Sequence, residues 1–139
     1  MKVLPVLLSF LVVISYMPRA DGCKCGQESN ETKFCRATFA LHGKILGVIN
    51  AGLQVKYEVE VLHSIKSRHN KNIIIEAPRD SAACGVDLKK GADYIISGTK
   101  TRDGKYETNR CQWNELWSDI PYDTQNKLLS GRFSSCPKI

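Results

Sequence analysis

The sequence has few of the residues from which active sites are built. It contains three histidines in 139 residues, namely His42, His63 and His69. No His-Glu-x-x-His pair, nucleophile elbow or glycine-rich phosphate loop accompanies them. Internal repeats, low-complexity tracts and internal linkers are also absent. We therefore expect a protein that is not an enzyme and that has no cofactor of its own.

The apolar stretch at the start of the chain is too short to span a bilayer comfortably. It runs from Val3 to Tyr16, about 14 residues, after a positive residue and before small residues at Ala20 and Gly22. This pattern predicts a secretory signal peptide over residues 1–22, cleaved before Cys23. We therefore expect a secreted protein of the extracellular space or matrix, without a membrane anchor.

The excess of basic over acidic residues is small. The 20 Lys and Arg against 14 Asp and Glu give a net charge of +6. Loss of residues 1–22 removes a net charge of +1 and leaves 117 of the 139 residues, enough for one small domain. Basic residues gather in one predicted loop, which could bind sulfated glycans or be merely a solvated turn: Lys66, Arg68, His69 and Lys71. No nucleic-acid partner is expected.

Cysteine, in contrast, is plentiful, and all of it follows the predicted cleavage site: Cys23, Cys25, Cys35, Cys84, Cys111 and Cys136. An even number in a secreted chain predicts three disulfides, and the spacing alone leaves all 15 pairings of six cysteines open. A zinc site is disfavoured, because Cys23 and Cys25 are not a Cys-x2-Cys pair and no matching knuckle follows. Asn30 opens an N-glycosylation sequon in a polar stretch.

Apolar alternation predicts an all-β fold with short flanking helices. Gly43 and Gly47 predict a bulge or sharp coiling in the first strand. Asp119 is predicted to cap a helix that begins at Pro121 and ends at Gly131, with two tryptophans packing it onto the sheet. The strands are predicted near residues 37–45, 55–65, 73–75, 94–99 and 106–111, and one helical turn near 34–35. Five coiled strands indicate a barrel of the oligonucleotide/oligosaccharide-binding (OB) type, and a sandwich fits the pattern almost as well.

The cysteine framework resembles the N-terminal, netrin-like (NTR) domain of the tissue inhibitors of metalloproteinases (TIMPs). The matching features cover residues 23–136 and leave 137–139 as a short tail: Cys23-Lys24-Cys25, Phe34-Cys35, Cys84-Gly85, Cys111 before Trp113, and Gly131-Arg132-Phe133 before Cys136. The resemblance implies a five-stranded OB-fold-like barrel. It also implies the disulfides Cys23–Cys84, Cys25–Cys111 and Cys35–Cys136.

The resemblance implies a function as well. A secreted or cell-surface zinc metalloproteinase would be inhibited by chelation of its catalytic zinc, through the free α-amine and the carbonyl of Cys23. The zinc would belong to the protease and not to this chain. The protease-binding residues implied are Cys23, Lys24, Cys25 and Gly26, with Ser81, Ala82 and Ala83 beside them and Arg36 near the edge.

Two features depart from the family pattern. Lys24 stands where the family generally has a small Thr or Ser directed into the protease's specificity pocket. The chain also stops three residues after Cys136, whereas full inhibitors carry a further six-cysteine domain. Because the charged Lys24 stands at the position directed into the specificity pocket, the alternative function is a netrin-like extracellular binding or immunomodulatory module without protease inhibition, with sulfated glycans as its candidate ligands.

Overall fold

Residues 22–137 are described by a computed structural model of the protein. The predicted signal peptide lies outside them, except for Gly22. The strands are β1 (Phe39–Ala51), β2 (Gln54–Lys66), β3 (Asn72–Pro78), β4 (Asp93–Lys100), β5 (Tyr106–Glu107) and β6 (Asn114–Leu116). The helices are α1 (Asn30–Arg36) and α2 (Tyr122–Leu129), with single 3₁₀ turns at Ser81–Ala83 and Trp117–Asp119.

Five strands form a closed ring. β1 pairs with β2, β2 with β3, β3 with β5, β5 with β4, and β4 pairs back onto β1, while β6 adds to the outer side of β4. The β3–β5 contact is parallel and the others are antiparallel. This ring agrees with the predicted five-stranded OB-fold-like barrel rather than with a sandwich.

The alternating apolar residues of β1 and β2 face the interior of the ring. Phe39, Ile45 and Tyr57 are buried there with residues of β3, β4 and β5. The pairing register of β1 against β2 shifts between His42 and Gly43 and again between Ile45 and Gly47, which confirms the predicted bulges. Bulges increase local coiling, and strong coiling is what lets a long strand such as β1 pair on both edges and close a small ring.

Three strand predictions need correction. The three consecutive isoleucines at 73–75 predict a short buried strand, but the side chain of Ile74 points outward and is 43% exposed, because β3 alternates between the interior and solvent. The predicted fifth strand to Cys111 ends at Glu107, since the next residue, Thr108, turns its buried hydroxyl toward the Ser97 carbonyl. The short strand β6 was not predicted; three residues carry too little periodicity to detect.

A second apolar cluster packs α2 against the outside of the barrel. It contains Ile95, Trp113, Ile120 and Leu128, with Trp117 and Phe133 packed against it. The predicted role of the two tryptophans is therefore confirmed. The predicted cap is wrong: Asp119 lies in the preceding 3₁₀ turn, and Pro121 occupies the cap position without a side-chain hydrogen bond.

Helix α1 is longer than the single turn predicted. It begins because the Ser29 hydroxyl accepts a hydrogen bond from the Thr32 amide at 3.1 Å. The glycosylation sequon therefore starts at the first, exposed residue of this helix, Asn30. Neither helix within residues 22–137 is long and apolar enough to cross a membrane.

Candidate functional site

Two segments distant in the chain lie side by side at one end of the barrel. We call residues 23–26 and 81–83 together the ridge. A disulfide joins Cys23 to Cys84 with the Cα atoms 5.0 Å apart, and a second joins Cys25 to Cys111 at 5.2 Å. A Cβ atom built on Gly22 would lie 3.9 Å from the Cα of Ala82. The start of the predicted mature chain is therefore held against the 81–83 segment.

The third disulfide contains no residue of the ridge. It joins Cys35 in α1 to Cys136 in the tail, with the Cα atoms 5.3 Å apart. All three pairings are those that the family resemblance implies.

The four sulfur atoms at the ridge, from Cys23, Cys25, Cys84 and Cys111, lie within 4.8 Å of one another. Such a cluster can hold a metal only as thiolates. Here the sulfurs are paired in two disulfides. The cluster is therefore a covalent clamp on the ridge and offers no thiolate to a metal.

The 81–83 segment is a single 3₁₀ turn with its own local restraints. The Asp80 carboxylate accepts a hydrogen bond from the Ala82 amide at 3.1 Å. Cys84 then adopts the left-handed conformation, with φ of 67°. The next position must be glycine, because a Cβ on Gly85 would lie 2.6 Å from the Pro78 carbonyl oxygen. Backbone geometry fixes this half of the ridge as firmly as its disulfide does.

An arginine connects the two halves of the ridge. Nη2 of Arg110 lies 3.3 Å from the carbonyl oxygen of Cys23 and 3.1 Å from that of Ser81, and it donates to both. The backbone amide of Arg110 donates to the Cys84 carbonyl at 2.8 Å. One residue thus makes hydrogen bonds to the backbone of both segments.

Arg36 has a related position. Its Nη1 forms an ion pair with Glu28 at 2.6 Å, and its Nη2 donates to the Cys111 carbonyl at 3.2 Å. Cys111 is the disulfide partner of Cys25. The guanidinium of Arg36 therefore contacts the backbone of the second disulfide and supports the ridge through it.

Apart from the long side chain of Lys24, the ridge presents backbone and small side chains to solvent. Lys24 and Gly26 are exposed, as are the three residues of the 81–83 turn, while Cys23 and Cys25 are half-buried. A rigid, exposed segment of this kind is suited to entering a cleft in another protein.

The sequence was compared with known proteins. The family model described as tissue inhibitor of metalloproteinase matches residues 21–137. The chain belongs to this family. A relative from Margaritifera margaritifera, named "NTR domain-containing protein", is 31% identical over 137 residues, covering 93% of this chain and 90% of the relative.

Two mammalian relatives share fewer identical residues with this chain. "Metalloproteinase inhibitor 2" of Homo sapiens is 25% identical over 158 residues, covering 99% of this chain and 71% of the relative. "Metalloproteinase inhibitor 4" of Mus musculus is 24% identical over 144 residues, covering 94% of this chain and 64% of the relative. The chain is thus a member of a family of inhibitors and, as predicted, not an enzyme.

Sequence reasoning missed two residues that support the ridge from outside it, Arg110 and Glu28. Arg110 directly precedes Cys111, the disulfide partner of Cys25, which is a signal that could have drawn attention to it. Glu28 had no such signal, because its partner Arg36 is eight residues away along the chain and only the start of α1 brings them together.

In the predicted basic loop, the side chain of Lys66 is half-buried, whereas those of Arg68 and Lys71 are exposed. Nζ of Lys66 donates to the carbonyls of Phe34 and Cys35, at 2.9 and 3.1 Å, where α1 ends. Burial lowers the pKa of this amine. Lys66 therefore stabilises the end of a helix, and Arg68 and Lys71 are the exposed cations of the loop.

Proposed function

We propose that the protein is a secreted inhibitor of zinc metalloendopeptidases that chelates the catalytic zinc of its target through the backbone of Cys23. The observation that carries this proposal is the ridge, in which two disulfides and Arg110 immobilise the residue predicted to be the mature N-terminus. Membership of the TIMP family supports inhibition of a metalloproteinase in general. The extracellular location and the cleavage after Gly22 are parts of the same proposal.

The chemistry needs only main-chain atoms of Cys23. A catalytic zinc site keeps three protein ligands and one position for water. The α-amine and carbonyl oxygen of one residue can displace that water and close a five-membered chelate ring. An α-amine has a pKa near 7.7–8.0, so its deprotonation costs only about 1 kcal/mol at neutral pH. Because the ridge is already ordered, little conformational entropy is lost on binding.

Lys24 would set the choice of protease. In the family resemblance, this side chain enters the specificity pocket beside the zinc. Burial of an unpaired ammonium in an apolar pocket costs several kcal/mol. We therefore propose a target whose pocket is acidic or water-filled, or one along whose wall the lysine stem can lie with its ammonium in water.

The chelation mechanism is tested by one added residue. Mature protein starting at Cys23 is compared with a variant that carries one extra Ala before it, against a panel of metalloendopeptidases. The extra residue turns the amine into an amide, so we expect the variant to lose inhibition by several orders of magnitude. Equal inhibition by the two proteins would exclude chelation through the amine.

The pocket argument is tested separately with Lys24→Thr. This variant should inhibit enzymes with an apolar specificity pocket better than the wild type, and enzymes with an acidic pocket less well. Inhibition constants that do not change on either class of enzyme would show that Lys24 does not enter the pocket.

A second candidate function, binding of sulfated glycans, is supported by the meeting of two basic loops. Arg68 and Lys71 lie in the β2–β3 loop, and Lys100, Arg102 and Lys105 lie at or near the β4–β5 turn. His69 joins the loops through a 2.8 Å hydrogen bond to the hydroxyl of Tyr106, and Asn70 and Lys105 line one groove. None of the five cations forms an ion pair with another residue of the described chain. Such a cluster favours a polyanion.

Heparin-affinity chromatography tests this candidate. The triple variant Arg68→Gln, Lys71→Gln, Lys105→Gln should elute at a clearly lower salt concentration than the wild type. A control with the same loss of charge, Lys44→Gln, Lys90→Gln, Lys127→Gln, should elute close to it. If both triple variants lower the eluting salt concentration equally, heparin binding depends only on net charge and there is no specific site.

A further inference from the structure

We propose that Arg110 is a positioning residue for zinc chelation, which holds the Cys23 carbonyl in the orientation that the zinc of a target protease requires. This inference rests on the proposed function, and it concerns a residue outside the ridge itself. The carbonyl is the half of the chelate on which Arg110 acts directly.

The disulfide of Cys23 restrains its side chain but not the direction of its carbonyl. That direction depends on rotation about the Cα–C bond. The Cys25–Cys111 disulfide, two residues further on, limits this rotation indirectly, and the hydrogen bond from Arg110 restrains it at the carbonyl oxygen itself. The donor nitrogen, Nη2, carries two hydrogens and donates the other to the Ser81 carbonyl. Because the guanidinium is planar and rigid, the two carbonyls are held at a fixed spacing.

The hydrogen bond is compatible with metal binding. A carbonyl oxygen has two lone pairs. One can accept from Arg110 while the other remains for the zinc of the protease. The bond from a charged donor is also stronger than one between neutral groups, so the carbonyl is ordered before the protease arrives.

A neighbouring arginine serves as the control. Arg79 lines the same groove as Arg110. Its guanidinium makes no hydrogen bond or ion pair with any other residue in the described part of the chain. Arg79→Met thus removes the same charge from the same groove without releasing a carbonyl.

The experiment compares Arg110→Met, Arg110→Lys and Arg79→Met in mature protein that inhibits a metalloendopeptidase. Arg110→Met should weaken inhibition about ten-fold, the effect of one lost charge-assisted hydrogen bond, and should unfold at nearly the wild-type temperature. Arg110→Lys should recover part of the loss, and Arg79→Met should stay within about two-fold. Wild-type inhibition by Arg110→Met, or an equal loss in Arg79→Met, would overturn the proposal.

A measurement on the free protein separates this inference from the proposed function. The carbonyl-carbon chemical shift of Cys23, measured by NMR without any protease, should change in Arg110→Met and stay at the wild-type value in Arg79→Met, because only the first variant removes a hydrogen bond from this carbonyl. An unchanged shift in Arg110→Met would overturn the inference. If the wild type inhibits no metalloendopeptidase, the proposed function fails, whatever this measurement shows.

Discussion

The barrel and the ridge are held together by different forces. The barrel interior is a continuous set of buried apolar side chains, and Phe39, Leu41, Ile45 and Ile75 are fully buried in it. The ridge buries almost nothing, and its order comes from two disulfides and from hydrogen bonds to backbone carbonyls. Stability and site geometry therefore have separate origins, and substitutions should be able to change one without the other.

The largest expected effect is on the barrel alone. Phe39→Ala removes a fully buried ring that packs edge-to-face on Tyr106, with ring centroids 5.1 Å apart. We expect the free energy of unfolding to fall by about 3–5 kcal/mol. Denaturant unfolding measures it, with Leu53→Ala at an 86% exposed site as the control. A loss below about 1 kcal/mol for Phe39→Ala would contradict the assignment of the core.

The next effect concerns the ridge clamp. The double variant Cys25→Ser, Cys111→Ser should lose about 2–4 kcal/mol of stability. It should also lose inhibition, because residues 23–26 are no longer ordered. Hydrogen exchange should speed up at the ridge while the barrel amides stay protected.

A matched control removes the other covalent link. The double variant Cys35→Ser, Cys136→Ser breaks a disulfide of similar sequence separation, 101 against 86 residues. Its loss of stability should be similar, but inhibition should be largely kept. If both double variants lose inhibition equally, the geometry of the ridge depends on the rest of the fold, and the two cannot be changed independently.

A smaller effect is expected from Lys66→Met, which removes two hydrogen bonds to the carbonyls at the end of α1. The free energy of unfolding should fall by about 1–2 kcal/mol. Arg68→Met, at an exposed position in the next loop, should change it by less than about 0.5 kcal/mol. Thermal unfolding of the two variants measures the difference. Equal losses of unfolding free energy would show that Lys66 is an ordinary solvated residue of the loop.

The smallest effect is a dependence on pH. Burial, with a contribution from Lys100, keeps the pKa of His69 below its usual 6.5. The neutral ring accepts from the Tyr106 hydroxyl and donates to the Lys66 carbonyl. Because the unfolded chain binds the proton more readily, this contribution to stability is present above about pH 6.5 and is lost as the pH falls through the pKa of the folded state.

His69→Gln should therefore reduce the difference in stability between pH 7.5 and pH 5, measured by denaturant unfolding at each pH. The exposed His63 on β2 provides the control, since His63→Gln should leave that difference as it is in the wild type. If His69→Gln leaves the pH dependence of stability unchanged, other groups are responsible for the loss of stability in acid.

The barrel was largely predictable from the sequence, and the supporting shell of the ridge was not. Period-2 patterns placed β1 and β2 because one face of each strand is buried, and the glycine bulges were predicted because few other causes put glycine inside a strand. Helix α2 was predicted from its start near Pro121 and its stop at Gly131, and its packing on the sheet from the two tryptophans that precede it.

The sequence could not show which polar side chains contact the backbone of residues that are distant along the chain. Neither the bond of Arg110 to the Cys23 carbonyl nor that of Lys66 to the end of α1 has a signature in spacing. Both depend on how the closed ring brings loops together. The cysteines located the ridge only through the family resemblance, because their spacing alone left every pairing open.

The central claim is that main-chain atoms of Cys23 bind the zinc of the target. Zinc X-ray absorption spectroscopy of an inhibited metalloendopeptidase tests it most directly, with the mature protein and the Ala-extended variant measured side by side. In the complex with mature protein, we predict that the zinc-bound water is replaced by one nitrogen and one oxygen ligand at chelate distances. A zinc shell identical to that of the free enzyme, in a complex that is still inhibited, would contradict the account.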